Sequence, residues 1–266
     1  MHWIREQVAR GDALIGVWLA TGSAVVADIA GTAGFDWALV DLEHGLGSDG
    51  GVLSQLQVLD RHGIASIVRI PALDAVAVKR ALDLGAAGIM VPQVRTADEA
   101  RDAVRFTRYP PDGIRGMTSQ SRAAGFGRDF ADYYGQANRS VLTVIQIETP
   151  EAVANAAEIA AVDGVDVLFI GHSDLSLQLG CFQEYRHPRV LAAGDAVLAA
   201  CRQHGRQAGA ILRPPTTAEE ALARGFSFLA TGTDIGCLRK GFEAMRGVSP
   251  LPVLRTVGPR INPVEP

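Results

Sequence analysis

The chain has 266 residues, 48% of them hydrophobic and 20% charged, with a formal net charge of -4. That length buries a full core without disulfide or metal staples. The mildly acidic balance excludes the concentrated positive footprint that nucleic acid or a polybasic membrane contact requires, so neither is expected as a partner. Among the 25 basic residues, only Lys79 and Lys240 are lysines. Cys181, Cys201 and Cys237 are odd in number and lack Cys-x-x-Cys spacing, which points away from a disulfide framework and a structural zinc site. The opening residues lack the apolar core of a signal peptide, and no apolar run approaches the ~18 residues of a membrane span. The expected setting is the cytoplasm.

Short β-rich runs alternate with Ala-, Leu- and Arg-rich helical stretches from end to end. In chain order the runs at 13–20, 37–43, 65–70, 88–94, 141–148, 165–171, 207–212 and 226–231 read as strands. Helices are expected near 23–33, 52–62, 74–86, 96–107, 150–162, 188–204, 216–224 and 234–246. Thr96 with Glu99 forms a candidate capping box, and Thr149-Pro150 offers an N-cap followed by proline at the first helical position. The 108–140 stretch reads as an ordered, Ω-like excursion or an oligomer contact, because loops that long are usually functional. A proline-containing tail is expected over 248–266, after one domain spanning 1–247.

Eight strands alternating with eight helices predict a (β/α)8 TIM barrel. A doubly wound sheet is the rival, but the Gly-x-Gly-x-x-Gly fingerprint of NAD binding is missing after the first strand. In a barrel the C-terminal strand ends surround the active-site mouth. Here they carry Asp41, Glu43 and His44 after strand 2, Arg69 after strand 3, Gln146 and Glu148 after strand 5, and His172, Ser173 and Asp174 after strand 6. Side chains alternate along a strand, so Asp41 and Glu43 share one side, as do Gln146 and Glu148, while Leu42 and Ile147 face the helices. Singly, each of these reads as a buried polar residue in an ion pair. Together the carboxylates outnumber Arg69, and a hard divalent cation such as Mg2+ or Mn2+ resolves the imbalance. Zinc is disfavoured, since no histidine cluster is in place.

At these residues the chain resembles the HpcH/HpaI aldolase family, whose barrels are of the phosphoenolpyruvate/pyruvate type. The resemblance rests first on Gly34-Phe-Asp-Trp-Ala-Leu-Val-Asp-Leu-Glu-His44, similar to the family's GFDWxxxDxEH motif. It continues through Val68-Arg69-Ile-Pro71, Lys79-Arg-Ala-Leu-Asp83-Leu-Gly85, Pro92-x-Val-x-x-Ala-Asp-Glu-Ala100 and Arg108-Tyr-Pro-Pro-Asp-Gly-Ile-Arg-Gly116. Gln146-Ile-Glu148-Thr and Gly164-Val-Asp-x-x-Phe-Ile-Gly-x-x-Asp174-Leu-Ser176 complete it, so that the matches run from about residue 12 to 245.

The resemblance implies a class II, metal-dependent pyruvate aldolase of aromatic-acid or sugar-acid catabolism. Such an enzyme cleaves a 4-hydroxy-2-oxo acid to pyruvate and a small aldehyde through a metal-stabilised enolate. It implies Glu148 and Asp174 as ligands of a divalent metal (Mg2+, Mn2+ or Co2+), with Gln146 and the Ser173 backbone holding the pyruvoyl part. His44 is implied as the acid/base and Arg69 as the group that stabilises the enolate oxygen. Asp83 matches the carboxylate that raises the basicity of that histidine. Falling near a helix C-terminus away from the site, it would reach His44 only from another subunit, with Asp41 as the alternative partner. The resemblance further implies a homo-oligomer, a hexamer by the family's habit. Glu43 is expected beside metal-bound water.

Lysine scarcity discriminates between mechanisms. An imine-forming aldolase needs a desolvated lysine inside the barrel, and both lysines fall in helical stretches, so neither a Schiff base nor a pyridoxal cofactor is expected. His172 stands where the family commonly has proline and reads as a hydrogen-bonded loop residue. Asp234, at the start of the last helix, disfavours a phosphorylated substrate. Two other readings are a carbon–carbon lyase of CoA thioesters, like the citrate lyase β-subunit relatives, and a non-catalytic barrel that senses a 2-oxo acid. The first would want a basic surface for the CoA phosphates, and the Glu43-His44 element fits it poorly. The second is opposed by the intact set Glu148, Asp174, His44 and Arg69.

Overall fold

The computed structural model of the chain describes residues 3–47, 49–214 and 216–247; the tail expected over 248–266 lies outside them. Eight parallel strands close into a barrel in chain order, the last pairing with the first. They are β1 (Leu14–Leu19), β2 (Trp37–Asp41), β3 (Ala65–Arg69), β4 (Gly88–Val91), β5 (Leu142–Ile147), β6 (Val167–Ile170), β7 (Gln207–Ile211) and β8 (Phe228–Thr233). The expected (β/α)8 architecture is the observed one. Strand β4 is shorter than expected because Pro92 follows Val91 and has no N–H to continue the ladder.

The helices that follow the strands are α2 (Ala24–Gly31), α3 (Asp49–Arg61), α4 (Ala75–Asp83), α5 (Ala97–Thr107), α7 (Pro150–Ala154) with α8 (Ala156–Ala161), α10 (Pro188–His204), α11 (Ala218–Arg224) and α12 (Asp234–Gly247). Both N-terminal signals operate: Thr96 and Glu99 form a reciprocal capping box, and the Thr149 side chain accepts from the Ala152 amide with Pro150 behind it. The helix expected over 150–162 breaks at Asn155, which caps one segment and opens the next.

Three helices were not anticipated. Helix α1 (Trp3–Arg10) precedes the first strand and inserts Ile4 and Val8 into the barrel interior. The 108–140 excursion is ordered but partly helical, with a 3-10 turn at Arg122–Gly127 and α6 (Phe130–Ser140). Asn138 of α6 clamps Tyr109, accepting from its amide at 2.7 Å and donating to its carbonyl at 3.0 Å. Helix α9 (His172–Gln178) starts directly after β6 and carries site residues in its first turn.

Alternation along the strands builds two cores. Outward residues such as Val40, Val68, Ile89, Ile145 and Ile147 pack against the helices. Inward residues fill the barrel itself: Trp18, Trp37, Leu39, Ile67, Met90, Val144, Phe169 and Phe228. Trp37 stacks on Phe228 at 4.1 Å, and Phe169 meets both edge-on. Two inward glycines make room for these rings. A Cβ at Gly16 would lie 2.2 Å from the Trp37 indole, and one at Gly209 would lie 2.5 Å from Phe169. With the interior packed, the inward polar residues are confined to the C-terminal ends, where they form a floor under an open mouth.

Candidate active site

The β2 end is organised by one carboxylate. Asp41 is buried and takes a two-pronged contact from Arg69, whose Nε and Nη2 donate at 2.9 and 2.6 Å. The Trp18 indole N–H donates to it at 3.0 Å, and the backbone amides of Glu43 and His44 at 3.0 and 3.2 Å. Burial alone would raise this carboxyl's pKa. The Arg69 guanidinium and the other donors outweigh burial and hold it below the usual carboxylate range. Asp41 therefore fixes both the guanidinium and the turn that presents Glu43 and His44. Arg69 also lies over the Trp18 ring, 4.8 Å from its centroid, which limits its rotation.

The remaining nitrogen of that guanidinium, Nη1, lies 2.7 Å from Glu43 Oε2, and Glu43 Oε1 is 3.7 Å from His44 Nε2. Burial pushes the Glu43 carboxyl up despite Arg69. The His44 ring projects into the mouth, 68% exposed, while Glu43 below it is 10% exposed. An accessible imidazole on a fixed backbone suits proton transfer with a bound molecule.

Across the mouth, Glu148 follows β5 and is buried. One of its oxygens accepts from the Gln93 amide at 2.7 Å, and the other is paired with the Gln146 side-chain amide. Gln93 holds a left-handed backbone (φ 54°) that turns its N–H toward the carboxylate. Burial, reinforced by the Glu43 and Asp174 carboxylates, pushes Glu148 up to about 7. The Gln146 carbonyl oxygen is buried without a partner. Gly171 closes this side, where a Cβ would sit 2.6 Å from a Glu148 oxygen. Asp174 stands in the first turn of α9 beside Ser173, whose hydroxyl accepts from Arg213 at 3.2 Å.

These residues fit a hard divalent cation. Glu148 and Asp174 are oxygen donors close enough to raise one pKa, Gln146 leaves a buried oxygen free, and the Arg69 guanidinium is already committed to Asp41 and Glu43. Among the described residues no group of three or more His, Cys, Asp or Glu is poised as a complete cage. One or two carboxylates completed by water and ligand oxygens is the complement Mg2+ and Mn2+ take at open sites.

Comparison with known proteins gives the family. The family model for HpcH/HpaI aldolase/citrate lyase matches residues 14–240. The chain belongs to the HpcH/HpaI aldolase/citrate lyase family. It is 39% identical over 241 residues to the 4-hydroxy-2-oxo-heptane-1,7-dioate aldolase of Salmonella arizonae, covering 91% of this chain and 92% of that one. Among solved structures it is similar to an HpcH/HpaI aldolase/citrate lyase family protein from Burkholderia cenocepacia, with TM-score 0.88 and 36% identity over 93% of this chain and 99% of that one. An HpcH/HpaI aldolase from Desulfitobacterium hafniense gives TM-score 0.84 and 27% identity over 95% and 99% of the two chains. As an HpcH/HpaI protein the chain is an aldolase, a carbon–carbon lyase, and the sensor and CoA-thioester readings give way to it.

Most of the residues expected at an HpcH/HpaI site converge at the mouth: Asp41, Glu43, His44, Arg69, Gln146, Glu148, Ser173 and Asp174. One expectation needs correction. Asp41 is not the imidazole partner of His44, because its contact with that residue is to the backbone amide, and the ring faces Glu43 instead. Within one chain, Asp83 ends α4 at the opposite end of the barrel and pairs with the buried Arg115 at 2.8 Å. Lys79 lies on α4 and Lys240 on α12. Trp18, Gln93 and Gly171 were not anticipated. Trp18 belongs to the inward β1 register, which alternation could have revealed, whereas a backbone donor such as Gln93 leaves no residue-type signal. Asp234 is buried and folds onto Ala20 and Thr21, accepting from both amides and from the Thr21 hydroxyl.

Proposed function

We propose that this aldolase reversibly cleaves a 4-hydroxy-2-oxo acid to pyruvate and an aldehyde, with Mg2+, Mn2+ or Co2+ held by Glu148 and Asp174. The observation that carries the reading is the charge pattern of the mouth: the Glu43, Glu148 and Asp174 carboxylates act on one another electrostatically, while the Arg69 guanidinium among them is already engaged by Asp41. A divalent cation there would supply Lewis-acid stabilisation of the negative charge that develops on the 2-oxo acid. Gln146 and the Ser173 backbone bind and orient the pyruvoyl end, while the packed barrel interior shields it from water on the inner side. His44 takes the C4 hydroxyl proton as the C3–C4 bond breaks. The bonding pair passes into the three-carbon half, where Arg69, held rigid by Asp41 and Trp18, stabilises the enolate oxygen. The aldehyde departs, and a proton delivered to C3 completes pyruvate. Glu43, within reach of both Arg69 and His44, orients the two relative to each other. The whole is carried by one domain over 1–247, acting as a homo-oligomer in which Asp83 reaches the His44 of a neighbouring subunit.

The test is pyruvate release from a 4-hydroxy-2-oxo acid before EDTA, after EDTA and after Mn2+ is restored. Activity is expected to vanish and return. Activity indifferent to EDTA, or borohydride trapping substrate on Lys79 or Lys240, would overturn the reading.

A further inference from the structure

The start of α12 is tied to the loop after β1 by one buried carboxylate, that of Asp234. Its own helix does not need it as a cap, because the Thr233 hydroxyl already accepts from the Gly236 amide. Asp234 reaches across to a loop more than two hundred residues upstream instead. One of its oxygens accepts from the Ala20 amide at 2.9 Å and from the Ile235 amide at 2.8 Å. The other accepts from the Thr21 amide at 3.0 Å and the Thr21 hydroxyl at 2.6 Å. Four donors thus converge on a group that can only accept. Asparagine, of the same size, cannot fill that role, since half of its amide donates.

The loop fixed in this way holds the turn that carries His44. The Ala20 carbonyl accepts from the Leu46 amide at 2.7 Å, two residues beyond His44. On the near side the Asp41 carboxylate accepts from the amides of Glu43 and of His44 itself. The turn is therefore pinned both before and after the imidazole, and only the second pin depends on Asp234. Glycines let the two loops meet backbone to backbone: Gly22 holds a left-handed conformation (φ 70°), and a Cβ there would collide with the Gly47 Cα. Gln146 and Glu148 belong to β5 and its end, Asp174 to α9, and none of them shares these hydrogen bonds. A disturbance at Asp234 reaches the imidazole first and leaves the carboxylate side of the mouth in place.

We infer that Asp234 is a positioning residue for the reaction: through Ala20 and the Leu46 amide it sets the place of His44, touching neither substrate nor metal. The inference rests on the proposed role of His44 in taking the C4 hydroxyl proton. Asp234→Asn should lower kcat about 10- to 100-fold, the cost of misplacing a catalytic group by about an ångström, with KM and Mn2+ affinity within about threefold of wild type. A double-mutant cycle with His44→Ala, read as pyruvate release at saturating Mn2+, separates positioning from a general structural role. In the His44→Ala background Asp234→Asn should cost less than about threefold, because the group it positions is gone. Thr21→Val removes one of the four donors and Thr21→Ser keeps it, so the first should lower kcat about threefold or more and the second should not. If Asp234→Asn does not fold, the Thr21 pair carries the same cycle. Equal losses with and without His44, an unchanged kcat, or a loss confined to KM or Mn2+ affinity would overturn the role of Asp234 while leaving the aldolase reading intact. A His44→Ala enzyme with wild-type kcat would overturn the acid/base reading, and this inference with it.

Discussion

Gly171 shows how little room the carboxylate side of the mouth leaves. Its backbone is unstrained (φ -83°), so alanine is conformationally acceptable there, and the obstacle is the space already held by Glu148 and Gln146. Gly171→Ala should therefore spare the fold and displace Glu148, the proposed metal ligand. The expected result is a 10- to 100-fold weaker Mn2+ affinity, of the order seen when a ligand's support is lost, with a melting temperature close to wild type. Mn2+ titration of the two proteins checks it. Cys201 offers a test of stability instead. Burial pushes its thiol up to about 12, and its sulfur donates to the Gln207 carbonyl. A thiol pKa higher in the folded than in the unfolded chain contributes stability that is whole below about pH 8.5 and is lost as pH rises toward about 12. Between pH 8 and 10, wild type should lose about 1.5–2 kcal/mol more unfolding free energy than Cys201→Ala. Denaturant unfolding at the two pH values measures the difference. Residue types at strand ends were enough to find Asp41, Arg69, Glu148 and Asp174. Gly171 and Gln93 stayed hidden because their contributions are an absent side chain and a backbone amide.

Strands and their helices were legible because period-two and period-3.6 patterns are local properties of the chain. The elements that escaped lack such a pattern. Helix α9 is seven residues whose first turn is polar because it serves the site, and α6 follows a stretch rich in glycine and proline that reads as loop. Helix α1 buries only Ile4 and Val8, too few positions to stand out. The inner core shows a dependence between strands that no single strand reveals. Gly16 of β1 and Gly209 of β7 are small because Trp37 of β2 and Phe169 of β6 are large. Gly16→Ala would force the Trp37 indole out of its stack on Phe228. The expected cost is about 1–3 kcal/mol, the usual range for overpacking a filled core. Because Trp37 lies beneath Leu39, which in turn supports Asp41 on the inward face of β2, the same variant should lower activity as well as melting temperature. Thermal unfolding with and without Mn2+ separates the two effects.

At the scale of the whole molecule, α12 is the element out of place. Its side chains from Ile235 to Met245 are exposed apart from the half-buried position at Gly236, and its chief contacts are with the ends of β1 and β8 rather than with a neighbouring helix. Ile235, Leu238, Phe242 and Met245 recur at helical spacing and make an apolar stripe that faces no partner among the described residues. On the barrel wall, Val25 and Ile29 of α2 are 69% and 64% exposed beside the position an eighth helix would cover. Two complementary apolar faces on one chain that do not meet are the ingredients of a reciprocal contact between copies. This geometry supports the proposed homo-oligomer, in which Asp83, at the opposite end of its own barrel from His44, would act on a neighbouring subunit. Light scattering should give a mass several times that of the monomer. Phe242→Asp should shift the protein toward smaller species, and if Asp83 acts across a subunit boundary, kcat should fall in step with dissociation as the protein is diluted. Asp83→Asn should lower kcat without changing the mass. A wild type that is monomeric and fully active would sink the oligomer and the trans role of Asp83 together, leaving Glu43 as the carboxylate beside His44.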